Sequence, residues 1–240
     1  MKLLETLQEE KSSHLKGGIY HKTQIKLSYN TNRIEGSQLS EEQTRYIYET
    51  NTLFTEKEQN ATNIDDIVET VNHFHCFDYM LDIAKEPLTD VHVKEFHKIL
   101  KLNTSDARKA WFEIGNYKSK PNVVGGIETS KPSEVERHIN DLLKNYNSKK
   151  TIEFTDVIDF HYKFEKIHPF QDGNGRVGRL ILFKECLKNT IAPFIIEDEF
   201  KFFYYRGLSE YPKIKEYLID TCLSAQDNYK VLMDYFEVKC

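Results

Sequence analysis

Residues 168–179 combine side chains that could carry out chemistry on a phosphate. His168 stands immediately before Pro169, where a helical pattern must stop. Its ordinary pKa of ~6.5 would let it accept a proton from a hydroxyl near neutral pH. Gly173 and Gly175 follow in the stretch DGNGR and permit backbone conformations in which successive N–H groups converge on an anion. This short run therefore offers a base and an anion-binding loop.

Two arginines occupy an unexpected position just after this loop. Arg176 and Arg179 lie one turn apart at the start of a new helical pattern, although the N-terminus of a helix is positive and favours acidic residues. Backbone amides and two guanidinium groups suit a polyphosphate better than a monophosphate. Asp172 would repel such an anion unless a divalent cation lay between them, and Mg²⁺ commonly binds one carboxylate plus phosphate oxygens. The residues indicate Mg²⁺ with a nucleoside triphosphate.

The candidate site residues must be positioned by secondary structure, and the sequence predicts mainly helices. Gly and Pro are scarce, with 10 and 6 among 240 residues, and apolar residues recur every three or four positions in long stretches. The interval 111–132 differs, because it brings glycines and prolines between short apolar pieces, which predicts a loop with a β-hairpin. We expect a mostly α fold. The predicted helices are 66–85, 90–101, 133–146 and 155–167, with further helix towards residue 240.

The composition disfavours several classes of function. Hydrophobic residues make up 39% of the chain, enough for a sizeable core, and the net charge of −5 lacks the basic surplus of nonspecific nucleic-acid binding. The apolar run 180–183 is too short to cross a bilayer, and the N-terminus is acidic where a signal peptide would be apolar. The four cysteines form no CxxC pair. We expect a cytoplasmic protein with reduced thiols and with neither nucleic acid nor membrane as a partner.

The stretch HPFQDGNGRVGR, from His168 to Arg179, resembles the complete HPFx(D/E)GNGRxxR signature of Fic proteins, without departure at a fixed position. The resemblance implies a helical core and transfer of AMP from ATP to a Ser, Thr or Tyr hydroxyl of a target protein, releasing pyrophosphate. It implies that His168 is the base, that Asp172 holds Mg²⁺ and that Phe170 is an apolar anchor for the loop. The implied phosphate-binding residues are Gly173, Asn174, Gly175, Arg176 and Arg179.

Two further segments resemble parts of Fic proteins. Residues 117–129 correspond to the flap, which pairs with a target segment as an added strand. A Lys at position 118 replaces the Arg of the common G-x-Y-R lead-in, so a bidentate contact there is not expected. Tyr204 and Tyr205 match a Tyr-Tyr pair that lines the adenine pocket, of which only one need face the ligand. The implied target-binding residues are Val123, Val124, Gly125, Gly126 and Ile127.

A glutamate at the end of another predicted helix is the second anomaly. The helical pattern of residues 20–36 stops at Gly36, which puts Glu35 at the negative end of its helix. An acid there costs roughly 0.3–1 kcal/mol unless a cation lies opposite. Thr31, Glu35 and Gly36 resemble the (S/T)xxxE(G/N) inhibitory motif of Fic proteins, whose glutamate pairs with the last arginine of the signature, here Arg179. The resemblance implies a class II protein that is inhibited intramolecularly.

The predicted organisation is an N-terminal helical region of residues 1–89, a Fic core of 90–210 and a C-terminal helical extension of 211–240. The expected partners are ATP and a protein target bound through the flap. The protein itself is one candidate target, and a homo-oligomer is left open. Three alternatives also stay open: another donor, such as one supplying UMP, GMP or phosphocholine; removal of AMP from a modified target; and a catalytically inactive binding module locked by Glu35. Phosphoryl transfer, as in the related Doc kinases, is disfavoured because Gly175 stands where those proteins carry Lys.

Overall fold

The protein is mostly helical, as predicted, in a computed structural model that describes residues 2–54 and 62–240. Two short strands, β1 (Val123–Val124) and β2 (Ile127–Glu128), pair antiparallel as the predicted hairpin. No helix within the described ranges is long and apolar enough to span a membrane. The helices are α1 (Leu3–Ser13), α2 (Ile19–Ile34), α3 (Glu41–Thr50), α4 (Ile64–Asp82), α5 (Asp90–Lys101), α6 (Pro132–Asn147), α7 (Phe154–Ile167), α8 (Asn174–Lys188), α9 (Lys201–Glu210) and α10 (Glu216–Tyr235).

Helix α8 is the central element of the core. Every residue from Asn174 to Leu187 is buried, and α2, α4, α5 and α7 all pack against it. A helix that is buried on all sides must be apolar around most of its circumference, and the segment 180–183 supplies this. The N-terminus of α8, where the signature residues lie, is therefore held in place by several neighbouring helices.

Helix α2 ends through a local backbone motif. The amide of Gly36, at φ +107°, donates to Arg33 O at 3.1 Å, and the amide of Ser37 donates to Asn32 O at 3.0 Å. These two hydrogen bonds are those of a Schellman motif, which requires a left-handed residue that glycine adopts without strain. The predicted stop at Gly36 is confirmed. Because α2 packs on α8, this stop sets Glu35 beside the N-terminus of α8.

Candidate active site

His168 caps the C-terminus of α7. Its backbone is left-handed, at φ 52° and ψ 64°, and its amide donates to Phe164 O at 3.0 Å. Burial, together with the positive charge of Lys118, lowers the pKa of His168 to about 4. The imidazole is therefore neutral at pH 7 and able to accept a proton.

The N-terminus of α8 offers uncapped backbone amides. Gly173 is the N-cap, at φ +79°, with no side-chain cap, and the first turn holds no acidic residue. The first intrahelical hydrogen bond runs from the Val177 amide to Gly173 O at 3.1 Å. The amides of Asn174, Gly175 and Arg176 come before it, and such amides have no acceptor within their own helix. This is the arrangement that binds phosphate at helix N-termini.

Asn174 braces the loop that carries these amides. Its side-chain oxygen accepts from the Phe170 amide at 2.7 Å, and its side-chain nitrogen donates to Phe170 O at 2.9 Å. The side chain is buried and fully engaged in this pair. Only the backbone of Asn174 is thus left to meet the predicted phosphate.

Phe170 is completely buried and fixes the loop to α5. Its ring stacks on His97 with centroids 4.0 Å apart and planes 8° apart, and it packs at 5.5 Å from Tyr117. His97 in turn accepts from the Gly115 amide at 3.0 Å through Nδ1. The loop before α8 is therefore seated on an aromatic stack, which suits the predicted anchor.

Arg179 contacts two residues of the predicted inhibitory motif: Thr31, which lies in α2, and Glu35, which is the C-cap residue of α2. Its Nε donates to Thr31 Oγ1 at 2.5 Å, and its Nη2 donates to Thr31 O at 3.1 Å and to Glu35 Oε1 at 2.6 Å. The guanidinium group is almost completely buried, with 4% of the side chain exposed, whereas Glu35 is 28% exposed. Burial disfavours its charge, but Glu35, with Tyr204 and Glu165 adding to its effect, raises the pKa of Arg179.

The carboxylate of Glu35 also lies against the anion-binding loop. A Cβ placed on Gly175 would collide with Glu35 Oε1 and would come within 2.9 Å of Arg179 Nη1. Glu35 thus lies at the N-terminus of α8, where the dipole favours negative charge. The acid at the end of α2 and the arginine in the first turns of α8 compensate each other.

Asp172 and Arg176 belong to a second cluster of charges. Arg176 Nη2 donates to Asp172 Oδ2 at 3.1 Å, and Arg176 Nη1 forms a close ion pair with Glu69 Oε2. Lys101 Nζ donates to the same Asp172 oxygen at 2.7 Å. Partial burial would raise the pKa of Asp172, but Arg176 and Lys101 outweigh it and hold this pKa well below its usual range. The carboxylate is therefore ionised at neutral pH.

Sequence reasoning missed three titratable residues, the buried Lys101 and the partly buried Glu69 and Glu165. The available signal for Lys101 was its place on the apolar face of α5, one turn after His97 and two turns after Val93. Glu69 comes from the predicted helix of residues 66–85 and gave no such signal. The contacts that make these residues part of the site join distant parts of the chain.

Glu165 lies against the N-terminal half of α8. Its Oε1 is buried, and a Cβ on Gly178 would come within 2.5 Å of this atom. Burial raises the pKa of Glu165 to about 8, with Arg179 opposing the shift and Glu35 adding to it. Gly178, which is not a fixed position of the signature, therefore makes room here for an uncharged carboxyl group.

The predicted flap is an exposed hairpin. Val123 is 61% exposed and Val124 is 46% exposed, and Val124 pairs with Ile127 across the turn. The turn residues Gly125 and Gly126 have φ of 56° and 80°, as the tightest two-residue hairpins require. Both valines thus remain free for contact with another chain.

Lys118 ties this hairpin to the loop after α7. Its amide donates to Pro169 O at 2.8 Å. Its ammonium group donates to Asn122 Oδ1 at 2.7 Å and to Thr129 Oγ1 at 2.6 Å, at the two sides of the hairpin base. Burial lowers the pKa of Lys118 to about 8, so the side chain is still mostly charged at neutral pH. Lys118 therefore holds the flap and acts electrostatically on His168.

Replacing Lys118 by methionine is expected to raise the pKa of His168 above its value of about 4, because the lysine charge disfavours the imidazolium. The pKa should stay below the ordinary ~6.5, because burial is the larger cause and remains. An NMR titration of the His168 ring measures both proteins. Lys120→Met is the matched control, since Lys120 Nζ lies over the Trp111 ring at 4.2 Å. An unchanged His168 pKa in Lys118→Met would contradict the coupling.

The two tyrosines after α8 occupy different environments. Tyr204 is buried behind Arg179, its ring centroid 5.8 Å from the guanidinium carbon, and its hydroxyl lies 2.8 Å from His161 Nε2. Tyr205 is 43% exposed and donates to Ile34 O at 3.3 Å. It borders a cleft of about 610 Å³ between the end of α2 and the start of α9. Of the two predicted adenine contacts, only Tyr205 is reachable, because Tyr204 packs inward beneath the arginine.

Comparisons with known sequences point to one family. Residues 87–185 match the model of the Fic/DOC family. The chain is 28% identical over 190 residues to a protein adenylyltransferase Fic of Nematostella vectensis. The aligned region covers 76% of this chain and 42% of that protein. It is 27% identical over 185 residues to a protein adenylyltransferase fic-1 of Caenorhabditis elegans. Here the aligned region covers 75% of this chain and 35% of that protein. The chain thus spans less than half the length of these relatives.

Solved structures share the fold over nearly the whole chain. A Fic domain containing signaling protein from Bacteroides thetaiotaomicron VPI-5482 gives a TM-score of 0.76 at 20% identity, covering 95% of this chain and 94% of that one. Fic-1 from C. elegans gives a TM-score of 0.74 at 21% identity, covering 97% of this chain and 72% of that one. The signature residues, gathered at one helix N-terminus, thus lie within the segment that matches the Fic/DOC family model, in a chain that shares its fold with solved Fic structures.

Proposed function

We propose that the protein transfers AMP from ATP to a Ser, Thr or Tyr hydroxyl of a target protein, with release of pyrophosphate. One observation carries the proposal: a neutral histidine stands beside an uncapped helix N-terminus that also holds two buried arginines. These are a base, a set of oxyanion donors and fixed positive charge within one signature. The adenylyltransferase names of the related proteins support the same reaction class.

The residues have separate roles in the proposed reaction. The amides of Asn174, Gly175 and Arg176 hold phosphate oxygens, and Arg179 holds the end of the triphosphate once Glu35 has left it. His168 takes the proton of the target hydroxyl as its oxygen attacks the α-phosphorus. The bond from the α-phosphorus to the bridging oxygen then breaks, and pyrophosphate leaves with that electron pair.

Asp172 is the residue that fits a Mg²⁺ ion. Its carboxylate is ionised and its side chain is 49% exposed, so a hard oxygen ligand faces outward. Among residues 2–54 and 62–240, no group of three or more His, Cys, Asp and Glu side chains is arranged to hold a metal ion. This suits an ion that takes most of its ligands from phosphate and water. When bound, Mg²⁺ would neutralise charge on the triphosphate.

Adenine and the target segment have separate candidate surfaces. Tyr205 and the cleft beside it offer a stacking surface for adenine. Val123 and Val124 offer an exposed strand to which a target segment can add, so that backbone hydrogen bonds position its hydroxyl. This mode reads little target sequence, and the protein itself is one candidate target. The free cysteines fit the reducing, ATP-containing cytoplasm.

Glu35 is proposed to inhibit this reaction. It uses an Arg179 donor and places a carboxylate against Gly175, where phosphate oxygens are proposed to bind. A negative group in this position competes with the triphosphate for the same charges. The resting protein is therefore inhibited by its own α2, as in the class II arrangement.

Labelled ATP tests the reaction class. The Glu35→Gly variant should incorporate label from [α-³²P]ATP into protein and none from [γ-³²P]ATP, because AMP transfer retains only the α-phosphate. Phosphoryl transfer would give the reverse pattern and would overturn the proposal. Competition of the α-label by unlabelled UTP, GTP and CDP-choline identifies the donor, and suppression by ATP alone is expected. Label from neither position, across added target candidates, would favour the binding-module alternative.

A further inference from the structure

A buried lysine joins the proposed Mg²⁺ ligand, Asp172, to two other carboxylates. Lys101 is 1% exposed, and its Nζ lies 2.5 Å from Glu69 Oε1, 2.7 Å from Asp172 Oδ2 and 2.9 Å from Asp106 Oδ2. A protonated lysine has three N–H donors. Each donor here meets a carboxylate from a different segment: α4, the loop before α8 and the turn after α5. The ammonium group is thus fully coordinated inside the protein.

Arg176 closes these contacts into a ring. Glu69 accepts from Lys101 through Oε1 and from Arg176 through Oε2. Asp172 accepts from both cations through the single oxygen Oδ2, at 2.7 Å and 3.1 Å. The ring of Lys101, Glu69, Arg176 and Asp172 therefore fixes one oxygen of Asp172. The other oxygen, Oδ1, lies outside the ring on a side chain that is 49% exposed.

A buried ionic ring of this kind is poor evidence for stability. Removing charges from water costs several kcal/mol per ion, and apolar packing often does equally well. Asp106 contacts Lys101 Nζ at 2.9 Å and takes no part in the ring. The ring instead fixes orientation, because it holds the Asp172 carboxylate and the Arg176 guanidinium group in one position relative to each other.

We propose that Lys101 is a positioning residue that directs Asp172 Oδ1 towards the cation that accompanies the triphosphate. This inference rests on the proposed nucleotidyl transfer and extends it to a residue outside the signature. Partners that orient a metal-binding carboxylate typically change metal affinity or activity by ~10- to 100-fold when they are removed. Loss of an interaction made equally in the ground state and the transition state raises KM while leaving kcat nearly unchanged.

The test uses the full chain with Glu35→Gly as parent and a variant that conserves net charge. Lys101→Met with Asp106→Asn removes the lysine and one carboxylate together, and Asp106→Asn alone is the matched control. Binding of Mn²⁺ is followed by electron paramagnetic resonance in the presence of α,β-methylene ATP, and kcat and KM are measured with MgATP. The double variant should bind Mn²⁺ ~10- to 100-fold more weakly, with a similar rise in KM and kcat within about threefold. The control should stay within about twofold of the parent.

Each result decides the inference. Equal Mn²⁺ affinity and equal KM in the folded double variant and its control would overturn it. If the double variant loses its cooperative melting transition, Lys101→Gln with Asp106→Asn replaces it, since glutamine leaves a polar group in the buried site but lacks the ammonium group that holds Asp172 Oδ2. This variant should then weaken Mn²⁺ binding by at least about threefold, and an unchanged affinity would overturn the inference. A parent without nucleotide-dependent Mn²⁺ binding would instead overturn the proposed function, and the inference with it.

Discussion

Replacement of Glu35 by glycine is expected to raise the rate of AMP transfer roughly ten- to hundredfold. In the resting protein, Arg179 Nη2 donates to Glu35 Oε1 at 2.6 Å and its Nε donates to Thr31 at 2.5 Å. A hydrogen bond to a charged group contributes about 1.5–3 kcal/mol, and each 1.4 kcal/mol is tenfold in an equilibrium. Glycine removes this competitor and the negative charge beside Gly175. The measurement is intact mass over time with saturating ATP and Mg²⁺, in which the AMP adduct accumulates.

Two further variants make this experiment specific. Glu35→Gln keeps the size of the side chain and removes its charge, so its rate should lie between those of the parent and Glu35→Gly. Glu42→Ala is the matched control, because Glu42 pairs with Arg45 on the exposed side of α3 at 3.3 Å and should leave the rate unchanged. Equal transfer by wild type and Glu35→Gly would refute inhibition by α2.

Replacement of His168 by alanine in the Glu35→Gly protein is expected to lower transfer by ~10²- to 10⁴-fold, the usual contribution of a general base. Nucleotide binding should change little, because phosphate is held by the amides of α8 and by Arg179 and Arg176. Intact mass measures the adduct, and calorimetry with α,β-methylene ATP measures binding. His75→Ala is the control, since this exposed histidine lies on α4. Undiminished transfer by His168→Ala would remove the base from the proposal.

The pH dependence gives an independent test of the same residue. Burial and Lys118 lower the pKa of His168 to about 4, so the basic form is lost only as pH falls through that value. The rate of the Glu35→Gly protein should therefore be flat on its acidic side down to about pH 5. An unshifted histidine would lose half of the rate near pH ~6.5. A midpoint near 6.5 would contradict the burial of the base.

The local features of the site were readable from short stretches. Pro169 ends α7 at His168, Gly36 ends α2 in a Schellman motif, and the Gly125-Gly126 pair forms the turn of the hairpin. Each depends on backbone preferences of the residue itself and its neighbours within a few positions. The helix bounds followed closely for the same reason, since periodic apolar faces of this length are strong signals.

Side-chain burial and protonation could not be predicted from short stretches of sequence. Tyr204 and Tyr205 are adjacent, yet one packs beneath Arg179 and the other borders a cleft, because α9 turns only one face to the core. Burial, with a contribution from Glu35, raises the pKa of Glu165 to about 8, so its carboxyl is mostly uncharged at neutral pH. Burial is a property of the assembled helices, and it decides both side-chain access and protonation.

By itself, the sequence determined which chemistry is proposed: a candidate base before a proline, a candidate anion-binding loop with paired arginines, and a glutamate at the negative end of its helix. Through the family resemblance of two motifs, it also predicted that Glu35 pairs with Arg179. The tertiary structure alone decided which charges meet Asp172, because Lys101 and Glu69 lie far from it in the chain and reach it only through the packing of α4 and α5 on α8. Charges act over a few ångströms in space, and spacing along the chain does not report that distance once helices fold back on one another.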